Sequence, residues 1–465
     1  MSVPGVVRTI VARGLCSGCG VCVAVCPEAS LRMEFNRAGE LVAAGGDCRS
    51  GCGRCLSVCP GADRPGREPL SLATDAGPGL ARTALAGRAL PGEFAGSRSS
   101  GGLASAFLAG LLETGAVERV LAVTKTAAGP DPDGRLFRFA VMDRAEQVRG
   151  AARSCYYPVE LSGVLAEVRR TRGRTAVIGL PCAVRAVRNL QALDPVMAGR
   201  ITVLAGLVCG GTRSRHWAGY LCLVGGGNPA ELAEAEFRDR EPGQPAREYG
   251  FRFRCRDGLP GRVGAAARNA AWARRWFQPE ACDCCDDVLA DLADVAFMDA
   301  GPGRDDQGMV LVRSGQAREL FDRLAAAGRV EVEAIADAEV LAAQRGLLRW
   351  KQEGLAERLA LRTDPPGRRV APARIARLRR IELGLQLRER RQVVEAFIDC
   401  ALRRTPARAE AKALRFRLRT LAVRVLHRVV RVAARLERGP GKAGKKAGSR
   451  IGPQGQSPHL KPEEA

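Results

Sequence analysis

Two cysteine runs carry the strongest chemical signal in the chain. Cys16, Cys19, Cys22 and Cys26 are spaced C-x2-C-x2-C-x3-C, with Pro27 next. Cys48, Cys52, Cys55 and Cys59 precede Pro60 and repeat the run with one residue added to the first gap. Soft thiolates suit iron, and a sulfide-bridged cube of four irons needs four of them around a compact volume. A tight loop with Gly18 and Gly20 brings three together and leaves backbone N–H groups to point at the sulfides. Read alone, Cys48, Cys52 and Cys55 have the C-x3-C-x2-C spacing of enzymes that open one iron to S-adenosylmethionine. That motif normally follows the first strand of a large barrel, and no such strand precedes Cys48. Structural zinc fits poorly too, since each loop would carry one thiolate too many.

The Cys-Pro endings favour an electron carrier. In two-cluster ferredoxins the fourth cysteine of such a run ligates the other cluster. Residues 1–60 therefore read as a small bacterial-type ferredoxin domain. One [4Fe–4S] cluster is expected on Cys16, Cys19, Cys22 and Cys59, and the other on Cys48, Cys52, Cys55 and Cys26. A further set is scattered. Cys182 follows the apolar run 175–179, Cys209 ends the run 201–209, and Cys282 and Cys285 have C-x2-C spacing. Carboxyl ends of strands are where open α/β sheets hold ligands. By spacing alone, a third cluster and ordinary buried thiols are both open, and the second is commoner.

The elements that position these residues are legible in outline. Residues 61–98 are rich in Gly and Pro and read as a linker. From residue 99 the pattern is α/β. A helix is expected after "SSGG" and strands at 117–123, 175–179 and 201–209, with a helix after Cys182. Strands alternating with helices imply a largely parallel sheet. The fold expected is thus α/β, a ferredoxin domain followed by a flavin-binding region and a helical basic C-terminal extension. The divisions are 1–60, 61–98, 99–195, 196–345, 346–438 and a disordered tail at 439–465. Seventeen cysteines in a chain whose start shows no apolar signal segment indicate a reducing, cytoplasmic setting. Three histidines leave little for His-based acid–base chemistry.

From residue 99 to about 345 the chain resembles the beta subunit family of coenzyme F420 hydrogenases and dehydrogenases. The resemblance rests on "SSGG", "SCYYP" (154–158), "VIGLPCAVRAVRNL" (177–190), "GLVCGG" (206–211) and "CDCCDDVLADLADVAFMDA" (282–300), in the family's order. It implies a third [4Fe–4S] cluster on Cys182, Cys209, Cys282 and Cys285. It also implies FAD near Ser99, Ser100, Gly101 and Gly102, whose helix start suits a pyrophosphate, and near Ser154 and Tyr156. Two departures stand out. The family's usual Ser-Lys-Tyr is Ser154-Cys155-Tyr156, and its Gly-Asp is Met298-Asp299. Both remove features expected beside an acidic acceptor, although Arg153 is a replacement cation to consider.

The expected activity is that of an iron–sulfur flavoprotein oxidoreductase. A ferredoxin-like donor protein would supply electrons, passed through the clusters and FAD to a small organic acceptor. That acceptor is either coenzyme F420 or another metabolite, such as one of surface-polysaccharide synthesis. The alternative is a non-enzymatic relay subunit of a larger redox complex. No catalytic side chain is named. Net charge is +23, and residues 401–450 hold 16 Lys/Arg against 2 Asp/Glu. Arg424, Arg428, Arg431, Arg435 and Arg438 form one helical stripe opposite Leu418, Leu421, Val425, Val429, Val432 and Leu436. Such a helix suits an anionic membrane surface or an acidic partner protein. Concentration of most of the net charge in this segment argues against nucleic acid.

Overall fold

A computed structural model describes residues 3–49, 51–62, 83–90, 100–126, 130, 133–151, 154–240, 248–301, 303–362 and 377–402, with 425, 428, 429 and 432. The cysteine-rich start contains one hairpin, β1 (Leu31–Phe35) and β2 (Leu41–Gly45), between the short helices Val21–Ala24 and Arg54–Val58.

The main sheet has eight strands. Its centre is β4 (Arg119–Lys125), β6 (Thr175–Gly179), β7 (Ile201–Leu207) and β11 (Val295–Asp299), all paired in parallel. This is the parallel sheet expected, and β6 begins and ends where the apolar run does. Antiparallel strands extend both sides. β5 (Phe137–Met142) pairs with β4, while β12 (Gly308–Val312), β3 (Thr83–Ala89) and β13 (Val330–Ile335) follow β11 in the order β11-β12-β3-β13. A separate antiparallel sheet is formed by β8 (Leu232–Asp239), β9 (Gly250–Cys255) and β10 (Pro260–Val263).

The central strands are apolar because both faces are covered. Val120, Ala176, Val203 and Phe297 pack with Phe107 of helix Leu103–Glu113 and Phe321 of helix Gly315–Ala326. Leu121, Val177 and Leu204 face the other way. They share a core with Leu165 and Val184 of two covering helices and with Val21, Val25 and Val58 of the cysteine-rich unit. The N-terminal unit is thus packed onto the sheet's helical layer. The Leu161 amide donates to the Cys19 carbonyl at 3.0 Å, and Asn189 Nδ2 to the Val58 carbonyl at 3.2 Å.

One expectation needs correction. The segment 61–98 is not all linker, because β3 lies within it between β12 and β13. Small residues hide the strand. At Gly87 an added Cβ would overlap the Glu331 carbonyl oxygen, so the backbones approach more closely there than a side chain allows. The division at 195/196 falls at the start of helix Pro195–Arg200, and β6 and β7 pair across it. The division at 345/346 falls inside helix Asp337–Leu348. Residues 63–82, 91–98 and 439–465 lie outside the described residues, as does most of the basic helix.

Candidate metal centres and the flavin side

The two N-terminal runs are built alike. Gly20 (φ 76°) starts helix Val21–Ala24 and Gly53 (φ 69°) starts helix Arg54–Val58, so each run turns through a left-handed glycine into a short helix. Cys22 and Cys59 are buried, Cys16 and Cys19 half-buried. Burial pushes the Cys19 thiol up to about 11 and Cys59 to about 12. Burial also raises Cys16 and Cys22, and Cys22 lies within electrostatic reach of Cys19, Cys16, Cys59 and Cys55. The chain therefore brings together Cys16, Cys19, Cys22 and, from the second run, Cys59. Cys55 and Cys48 are half-buried and Cys52 is exposed. Cys26 has its Sγ 3.3 Å from Ser30 Oγ.

The scattered cysteines also converge. Cys182 sits in the first turn of helix Pro181–Leu193, directly after β6, and Cys209 follows β7. Cys282 belongs to helix Glu280–Asp283, and Cys285 follows it. Burial raises Cys182 and Cys209 and takes Cys282 to about 12. The next influence on Cys182 is the charge of Cys209, then Cys285, Cys19 and Cys282. Cys209, Cys282 and Cys285 thus lie within electrostatic reach of Cys182, and Cys19 of the N-terminal unit is within the same reach. Among the described residues no group of three or more His, Cys, Asp or Glu side chains is placed to hold a single metal ion. A cube differs from a single ion, since its four thiolates bind four separate irons.

The surroundings fit an anionic cluster. Lys351, Arg213, Arg358 and Arg390 are buried beside the loop. Arg390 pairs with Asp283 at 2.8 Å, and Arg185 approaches Asp287 at 3.7 Å. Burial, then repulsion from Arg275, takes Arg213 down to about 9, and its Nε has no hydrogen-bond partner. Burial likewise takes Arg275 and Arg358 to about 10. Buried cations held below their ordinary range call for more negative charge. Four thiolates around iron would supply it, and iron in turn would favour their ionised form.

On the flavin side, Ser99 lies outside the described residues. Ser100 Oγ donates to the Gln307 carbonyl at 3.2 Å, and the Ala89 amide to the Gly101 carbonyl at 2.6 Å. Gly101 is held against β3 and β12, where an added Cβ would meet the Gly87 carbonyl oxygen at 2.6 Å. Gly102 (φ 78°) starts helix Leu103–Glu113. Gly308 pairs with Asp299, whose carboxylate accepts from Arg238 at 3.0 Å. Arg238 Nη1 lies 3.5 Å from Ser154 Oγ. The two expected flavin segments therefore approach the same end of β11 and β12.

Arg238 was not legible in the sequence. Burial disfavours its charge, but Tyr156, Asp299 and Tyr249 more than offset this and hold the guanidinium above its ordinary range. The Tyr156 ring is tilted by 60° against Trp272, with ring centres 4.7 Å apart, and its hydroxyl is 3.3 Å from that of Tyr249. Cys155 replaces the family's lysine and is pushed by burial up to about 12. Arg153, the replacement cation considered, lies outside the described residues; Arg238 is the cation beside Ser154.

Residues 84–166 match the model "Coenzyme F420 hydrogenase/dehydrogenase, beta subunit N-term", and residues 173–338 match the model for the C terminus of the same beta subunit. The chain belongs to this family. Residues 15–62 match a 4Fe-4S dicluster domain, so this member carries a ferredoxin-like unit ahead of the beta-subunit fold. It is an iron–sulfur redox subunit related to the F420 hydrogenase beta subunit. Among solved structures, the chain is similar to one in the F420-reducing [NiFe] hydrogenase complex from Methanosarcina barkeri. Identity is 19%, with 62% of this chain and 96% of that one covered and a TM-score of 0.46. No curated protein matches. The beta-subunit match begins at residue 84, so it includes β3, and ends at residue 338, before Lys351 and Arg358.

Proposed function

We propose that the chain is an iron–sulfur flavoprotein oxidoreductase with three [4Fe–4S] clusters and FAD. The twelve cysteines named from the sequence are its cluster ligands. The observation that carries this reading is the continuity of the thiol sets. Exposed Cys52 marks an entry at the surface, Cys55 and Cys22 join the two N-terminal sets, and Cys19 and Cys182 join them to the inner one. When bound, the clusters carry single electrons and the flavin combines two into a hydride equivalent.

The remaining tasks fall to the chain. Gly101 lets the backbone approach the end of β12, and Tyr156, Trp272 and Tyr249 wall the flavin side with aromatic surface. Arg238 places a cation beside Ser154, which suits an acidic group on the flavin or on the acceptor. The acceptor is coenzyme F420 or another oxidised metabolite, including one of surface-polysaccharide metabolism. A redox protein is the electron partner.

The divisions read from the sequence are proposed with two changes, β3 joining the flavin region and helix Asp337–Leu348 being kept whole. The exposed Val425, Val429 and Val432, beside Arg428, support docking of the basic helix on an anionic membrane surface. Among the described residues no helix is long and apolar enough to cross a membrane.

Flavin content decides between enzyme and relay. Protein purified and reconstituted without oxygen is expected to hold one FAD and, once reduced, to transfer hydride to F420 or to a competing acceptor. Absence of flavin after reconstitution leaves a relay subunit and overturns the enzyme reading.

A further inference from the structure

Residues 351–358 lie beyond the family match, yet they hold the loop that carries Cys282 and Cys285. Lys351 Nζ donates to the Asp287 carbonyl at 2.6 Å and to the Cys209 carbonyl at 3.4 Å. Gln352 Nε2 donates to the Asp286 carbonyl at 3.4 Å, and Arg358 Nε to the Asp283 carbonyl at 3.0 Å. Arg358 also donates to the Lys351 carbonyl at 3.3 Å. Its guanidinium lies 4.5 Å from the centre of the Trp350 ring, and that of Arg275 lies 4.0 Å from it. The turn that presents Lys351, Arg349–Glu353, is π-helical, a form concentrated at functional sites.

Lys351 is 2% exposed. An ammonium buried this deeply is costly unless negative charge meets it. Besides the two carbonyls, the ammonium lies within hydrogen-bond reach of the Cys285 thiol, while the Asp287 carboxylate is approached by Arg185. The sulfurs of Cys285, Cys209 and Cys282 lie within its electrostatic reach and would supply that charge once ionised on iron. Among the main influences on Arg213 are Cys282 and Cys209, and among those on Arg358 is Cys285.

We propose that Lys351 is the fixed counter-charge of the third cluster and holds its reduction potential above the value it would have without that charge. The proposal rests on the third cluster proposed above. A nearby cation favours the form with one more electron, and net charge and hydrogen bonding are what set cluster potentials. A segment outside the family match would thus tune the innermost iron–sulfur site.

The test uses the full chain, reconstituted anaerobically, and three proteins: parent, Lys351→Met and Lys351→Arg. Iron is counted first. A parent with about eight irons instead of about twelve overturns the third cluster and this role with it. With about twelve, an EPR-monitored redox titration follows. Lys351→Met is expected to shift one of the three midpoints to more negative potential and leave the other two in place. Lys351→Arg, which keeps the charge, should stay near the parent. An unchanged set of midpoints in a fully loaded Lys351→Met chain overturns the counter-charge while the third cluster stands. If Lys351→Met loses the third cluster, its retention in Lys351→Arg supports the role and its loss in both overturns it.

Discussion

Cys59 shows how much one side chain decides here. It is buried with Cys16, Cys19 and Cys22, although it closes the other run. By the same exchange Cys26 should serve Cys48, Cys52 and Cys55. Cys26→Ser is expected to remove about four irons and to spare the cluster on Cys16, Cys19 and Cys22. Loss of that neighbouring cluster instead, seen by EPR, would contradict the crossed ligand sets. Asp291 carries a pH signature. Burial, then the charge of Asp287, pushes its carboxyl from 3.8 up to about 6. The folded chain therefore binds this proton more tightly than the unfolded one. The stability involved is complete below about pH 3.8 and is lost as pH rises through about 6. Melting of the parent should weaken across that window relative to Asp291→Asn, and equal slopes for both would refute the assignment. The eight N-terminal cysteines were legible as candidate ligands because their spacing is chemical, while Cys182, Cys209, Cys282 and Cys285 were singled out as ligands only by the family resemblance. Arg238, Trp272 and Tyr249 were not, since nothing local separates them from any arginine or aromatic residue of a core.

At the scale of elements, the strands and helices that follow one another in a βαβ pattern were legible and β3 was not. Its partners are β12 and β13, more than two hundred residues away, and its small residues leave no strong apolar run. Propensity describes a strand poorly when its stability comes from distant pairing. Strand β9 also went unread, although its alternation, with Phe251 and Phe253 inward and Arg252 and Arg254 outward, follows the two-residue period of a strand. Gly87→Val should cost about 3 kcal/mol or more, because overpacking adds to the broken pairing of β3 with β13. Chemical denaturation measures it, and a variant as stable as the parent would show that the close approach at Gly87 is not needed. Gly101→Ala is expected to lower flavin binding as well as stability, since the same backbone packs on β12 and leads into helix Leu103–Glu113. Normal FAD binding by that variant would remove the loop from the site.

At the scale of the whole molecule, the cysteine-rich unit is built into one core with the sheet's helical layer. That packing, not the linker, fixes Cys19 near Cys182 and makes a continuous route physically reasonable. Both cysteine sets are visible in the sequence, whereas their proximity comes from the fold, which brings Cys19 within electrostatic reach of Cys182. The basic C-terminal segment is the remaining large feature. A chain ending near residue 405 should lose binding to acidic liposomes, and flotation equal to that of the full chain would rule out a membrane role. The central claim is that three cysteine sets form one connected redox centre. It is tested most directly by counting iron in the anaerobically reconstituted full chain beside a Cys182→Ser/Cys285→Ser double variant. The account predicts about twelve irons in the parent and about eight in the variant, whereas about eight in both would contradict it.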